Sequence, residues 1–169
     1  MLAAALPFVL TLELDGESFA RLNELRRRYY PPERNNVPAH LTLFRQLPGE
    51  RGREIKALLK QIADKQRPIE AGRGELKLIE RGVAVFVRSP QLLSLRDMLA
   101  NEWEPWLGDL DRAFQPHITL QNNVSESEAR RTLREITATF RSPSIRGEAF
   151  RLWRYRDGPW EDVRLFRFR

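Results

Sequence analysis

The chain has 169 residues, 41% hydrophobic and 31% charged, with no cysteine. That balance suits one soluble globular domain, or two small lobes sharing a core, and excludes disulfides, a thiolate nucleophile and a cysteine-built zinc cage. The 29 Lys+Arg outweigh 23 Asp+Glu by +6, which favours anionic ligands such as nucleotides or RNA and is equally met in a merely solvated basic surface.

The opening run MLAAALPFVLTL has no cationic start, and Glu13 and Asp15 follow at once. It is too short to span a bilayer and reads as a tail entering a first strand; a cytoplasmic protein with no membrane partner is expected. Alternation predicts a strand over 8–14, and helical spacing a helix over 17–30 with Phe19, Leu22 and Leu25 on one face. The loop PPERNNVP leads into a strand over 40–47. A helix over 51–65 follows, then strands over 70–80 and 83–88, turning at Arg81 and Gly82. A helix over 91–106 and a strand over 114–121 come next. Ser125 and Glu128 have capping-box spacing and start another helix. Strands over 148–155 and 163–168 close the chain, joined by the turn RDGPWED.

The order strand-helix-strand-helix-strand thus occurs twice. Residues 8–14 match 83–89 at an offset of 75, the histidine strands match at 77, and ELKLIER resembles AFRLWRY at 74. Such offsets predict an α+β fold of two pseudosymmetric lobes, copies over about 8–80 and 83–155 plus the final strand. Antiparallel-rich sheets would flank a central cleft, with helices outside.

Both histidines of the chain lie in one repeated frame, VPAHLTL at 37–43 and FQPHITL at 114–120. Side chains two apart share a strand face, so His40 pairs with Thr42 and His117 with Thr119, while the aliphatics turn to the core. Two imidazoles across a cleft suit in-line displacement at phosphorus, one taking a proton from the attacking oxygen and one giving a proton to the leaving oxygen. Threonine hydroxyls beside them can donate to the non-bridging oxygens. No third residue at a recognisable spacing completes a metal site, so no metal or cofactor is expected.

The paired PAHLTLF and QPHITLQ motifs resemble the 2H phosphoesterase superfamily and, within it, the 2′-5′ RNA ligase-like group, over essentially the whole chain. The resemblance implies His40 and His117 as the acid/base pair and Thr42 and Thr119 as phosphate binders. It implies RNA or a small nucleotide with a 2′,3′-cyclic phosphate or 2′-5′ linkage as partner, and no obligate protein partner is evident. The expected activity is metal-independent opening of a cyclic phosphate, with reversible 2′-5′ ligation in prospect. A 2′-5′ oligonucleotide phosphodiesterase, an RNA-processing nuclease and a non-catalytic nucleotide-binding module draw on the same residues. Further candidate binders are Phe44, as a base-stacking face or a core cap, and Gln121, as a phosphate ligand or a solvated strand end. Tyr30 and Arg34 stand in the loop before the first motif, and Tyr155 and Trp160 in the tail hairpin. The runs Arg26 to Arg28 and Arg130 to Arg131 read as solvated helix faces.

Overall fold

A computed structural model describes residues 5–169; the first four residues of the opening run lie outside the described residues. Strands β1 (Phe8–Leu14), β2 (Leu41–Leu47), β3 (Ile69–Arg73), β4 (Glu75–Ile79), β5 (Gly82–Phe86), β6 (His117–Gln121), β7 (Ser144–Arg154) and β8 (Glu161–Arg167) form one antiparallel sheet in the order β3-β7-β1-β2-β6-β5-β4, with β8 on β7. Outward from the β2–β6 centre, β1, β7 and β3 follow on one side and β5 and β4 on the other. The centre itself is joined by the single pair Leu41↔Ile118, so the sheet has two halves hinged at the motif strands.

Helices α1 (Gly16–Tyr29), α2 (Gly52–Ala63), α3 (Pro90–Trp103), the short α4 (Asp109–Arg112) and α5 (Glu126–Thr139) cover the sheet. Three of their starts are set by side-chain caps. Asp15 accepts from Ser18 N at 3.0 Å, Ser89 from Leu92 N at 3.1 Å and Ser125 from Glu128 N at 3.2 Å, each satisfying an otherwise orphaned helix donor. The core between these layers buries Phe8, Leu10 and Leu12 of β1, Leu22 of α1, Ile55 and Leu59 of α2, and Trp103 of α3. Among the described residues, no helix is long and apolar enough to cross a membrane.

Two elements depart from the sequence pattern. The strand expected over 70–80 is broken at Gly72–Gly74, and its halves go to opposite edges, β3 onto β7 and β4 onto β5. Gly72 adopts φ +72°, and a Cβ on Gly74 would collide with Val85 Cγ1, so both glycines are needed at the crossing. The helix expected over 91–106 is α3 as far as Trp103 and continues as a 3₁₀ turn, Glu104–Trp106, where Pro105 removes a donor.

Candidate active site

Each motif strand carries a bulge immediately after its threonine. Thr11 stands opposite Thr42 while Leu10 stands opposite Phe44, leaving Leu43 as the extra residue. Ala84 stands opposite Thr119 while Val83 stands opposite Gln121, leaving Leu120 as the extra residue. An extra residue reverses the facing of everything beyond it. This corrects two expected binders. Phe44, in phase with His40 and Thr42 by simple alternation, is turned into the core, edge-on to Trp103 at 5.1 Å with the Arg96 guanidinium 4.0 Å above its ring. Gln121 is likewise buried, and its Nε2 donates to Thr132 Oγ1 at 2.8 Å. The same ladders equate Leu10, Thr11 and Leu12 with Val83, Ala84 and Val85, two residues out of step with the sequence offset of 75. An even slip leaves every side chain on its original face.

The four motif residues line one cleft of about 400 Å³. His40 Nδ1 lies 2.7 Å from Pro38 O, and His117 Nδ1 lies 2.8 Å from Gln115 O. A carbonyl only accepts, so each imidazole carries its proton on Nδ1 and keeps Nε2 for the cleft. The same local device, a carbonyl two residues upstream, orients both rings. His117 is stacked on Phe86 at 5.3 Å, whereas His40 meets Trp160 at 4.8 Å in a tilted contact. His40 also sits in an environment hostile to charge. Its pKa is pushed down to about 4, chiefly by burial and then by the cationic Arg26 and His117, against the opposing effect of the Pro38 carbonyl.

Of the remaining candidates, Tyr155 and Trp160 line the cleft, Tyr155 being exposed and Trp160 half-buried. Tyr30 does not line it; its ring lies 4.1 Å beneath the Arg26 guanidinium. Arg34 is exposed in the 3₁₀ turn Pro32–Arg34 and stands outside the cleft lining. Arg27, Arg28, Arg130 and Arg131 follow the expectation of solvated helix faces, but Arg26 is only 4% exposed, a correction to its reading as solvated. Its Nε donates to Asn35 Oδ1 at 2.9 Å and its Nη1 to Thr119 O at 2.8 Å, bolting α1 to the second motif strand. Asn23, also on α1, accepts from Ala39 N at 2.9 Å and fixes the entry to the first.

Sequence reasoning missed a second support. Asp111 on α4 is buried, and its carboxylate accepts from Arg45 N at 2.7 Å and Gln46 N at 2.9 Å, just past the β2 bulge. Arg96 on α3 donates through Nε to Leu43 O at 3.1 Å and through Nη2 to Asp111 O, closing the brace. A buried ion-and-backbone network of this kind fixes a geometry that the adjacent irregular strand would not hold by itself. The sole sequence signal was an aspartate inside the short polar run GDLDR.

The model of the 2′-5′ RNA ligase superfamily matches residues 14–159. No curated protein matches the chain. Similar solved structures include TT0787 of Thermus thermophilus, at 22% identity and TM-score 0.64, covering 96% of this chain and 98% of that one. E. coli LigT complexed with 3′-AMP is 19% identical, with TM-score 0.65 and coverage of 97% and 98%. Kluyveromyces marxianus Usb1 with uridine monophosphate is 13% identical, with TM-score 0.52 and coverage of 98% and 99%. At these identities the likeness is one of fold.

Proposed function

We propose, from the premise that this chain belongs to the 2′-5′ RNA ligase superfamily, that its cleft is the active site of a metal-independent phosphodiesterase opening RNA or nucleotide 2′,3′-cyclic phosphates. The observation that carries this is the lining of a single cleft by both imidazoles and both motif threonines. Nucleotides bound to two proteins of this fold, 3′-AMP in LigT and uridine monophosphate in Usb1, support the substrate class. The halves 8–80 and 83–155 are read as copies of one unit, each giving one histidine and one threonine.

His40, held neutral near pH 7 with Nε2 bare, takes a proton from the attacking water. The water oxygen bonds to phosphorus while the bond to one ribose oxygen breaks on the opposite side. His117, its Nδ1 held by Gln115 O, gives a proton from Nε2 to that departing oxygen. Thr42 and Thr119 donate to the non-bridging oxygens, where charge accumulates in the transition state. With a hydroxyl of a second nucleoside in place of water, the same proton transfers make a 2′-5′ linkage.

The test is a panel of 2′,3′-cyclic nucleotides and 2′-5′ oligomers, assayed across pH with and without EDTA. Turnover of cyclic phosphates that persists in EDTA, with an acid limb near the depressed His40 value of about 4, is expected. Loss of activity in EDTA overturns the metal-independent mechanism. Nucleotide binding without turnover of any member makes the protein a binding module.

A further inference from the structure

His40 has a second cavity on its other side. This space, of about 290 Å³, lies against β1, the start of α1 and the loop into β2. Its walls include Phe19, Pro38 and the Trp153 indole, over whose ring the Arg151 guanidinium lies at 5.5 Å, so it is mostly apolar with one aromatic wall. Its polar margin is the pair Glu13–Arg151, joined at 2.8 and 3.1 Å, with Asp162 on the remaining Arg151 nitrogen at 2.7 Å. Trp153 Nε1 is already held by Thr11 Oγ1 at 2.9 Å, which locks the indole plane.

Comparison with the other half says what this space lacks. Beside His117 the ladder places Phe86, whose ring stacks on the imidazole at an interplanar angle of 25°. Beside His40 the equivalent ladder position, one beyond the Leu12↔Leu41 pair, is Glu13. Its carboxylate is drawn off to Arg151 and leaves the room open. One half therefore fills the place behind its histidine with its own aromatic ring, and the other half leaves an aromatic-sized space walled by Trp153.

We propose that this cavity seats the base of a second nucleoside, the one whose hydroxyl attacks phosphorus in place of water. The proposal rests on the two-histidine function above and deepens it by giving the acceptor a site. The cyclic phosphate lies in the cleft, and the acceptor reaches it past His40, the group that takes its proton. The acceptor oxygen bonds to phosphorus, its proton passes to His40 Nε2, the bond to one ribose oxygen of the donor breaks, and His117 protonates that oxygen. Stacking on Trp153 supplies affinity for any base, and the Glu13–Arg151 margin offers an acceptor and a donor for its polar edge or ribose.

Gly16 gives a clean probe. It lines the cavity, lies at the first turn of α1, and a Cβ there meets nothing within 4 Å. Gly16→Leu adds an apolar side chain at the cavity's edge without a clash and favours the helix more than glycine does. The experiment incubates the full chain with uridine 2′,3′-cyclic phosphate and adenosine, scores hydrolysis against dinucleoside phosphate, and measures adenosine binding by calorimetry. The wild type is expected to bind adenosine and divert part of its turnover to the dinucleoside product. Gly16→Leu should lose that binding and that product by about tenfold or more, with the hydrolysis rate retained. Trp153→Leu, which removes the stacking face without filling the space, should show the same two losses. Equal transfer to glycerol and to adenosine, or Gly16→Leu and Trp153→Leu proteins that both transfer like the wild type, overturns the proposal. If the cyclic phosphate is not turned over at all, the two-histidine function fails instead. Adenosine binding that Gly16→Leu weakens then still upholds the cavity as a nucleoside site, and its absence overturns that too.

Discussion

Arg26→Met is the perturbation that reaches furthest through this molecule. Methionine keeps an unbranched chain in the buried channel but deletes a guanidinium that makes hydrogen bonds of 2.9 Å to Asn35 and 2.8 Å to Thr119 O. Hydrogen bonds to charged groups are worth about 1.5–3 kcal/mol each, and release of the buried charge's desolvation penalty offsets part of their loss. The net cost is about 2–4 kcal/mol, which for a chain of this size lowers Tm by about 5–15 °C. Arg26 also holds His40 down by like-charge repulsion, so removing it raises the His40 pKa above about 4. Burial remains the larger cause, and the rise is therefore partial. A thermal melt and a pH–kcat/KM profile on the same preparation test both effects. The acid limb should move to higher pH in the variant. An unchanged melt, or an acid limb that stays put or moves to lower pH, would refute the role assigned to Arg26.

Because His40 binds its proton less readily folded than unfolded, stability is fully present above about pH 6.5 and is lost as pH falls toward about 4. Melts across that window should fall more steeply for the wild type than for His40→Asn; parallel curves would contradict the depressed value. Asp111→Ala frees two main-chain donors of β2 beside the bulge and should cost about 2–4 kcal/mol by denaturant titration, with kcat reduced. Thr42→Val and Thr119→Val should each lower kcat by about 10²–10³, while Tm, read on the same samples, stays near the wild-type value.

The motif pair was legible because histidine is used nowhere else and the frame around it repeats. Facing along each strand followed from alternation as far as Thr42 and Thr119, and the cleft contains what that rule selected. Beyond them the rule failed twice in the same way. Leu43 and Leu120 are ordinary strand residues with nothing in their identity to announce a bulge, so Phe44 and Gln121 were placed on the wrong face. The division of 70–80 did leave a mark, in Gly72 and Gly74, but two glycines in a strand do not reveal which edge each half will join. Arg26 looked like its neighbours Arg27 and Arg28 because its partners, the Asn35 side chain beyond the helix and the Thr119 carbonyl of β6, leave no mark in the helix's own sequence. Asp111 and Arg96 were invisible for a similar reason: from two helices, their chemistry is spent on main-chain groups of β2.

The most direct measurement of the central claim is turnover of a nucleoside 2′,3′-cyclic phosphate by His40→Ala, His117→Ala and the double variant, each compared with the wild type. Two imidazoles serving one phosphorus act as a unit. Each single change should then cost about 10²–10⁴ in kcat, and the double change little more than either. Near-normal turnover in either single variant, or losses that multiply in the double, would contradict a shared phosphate between them.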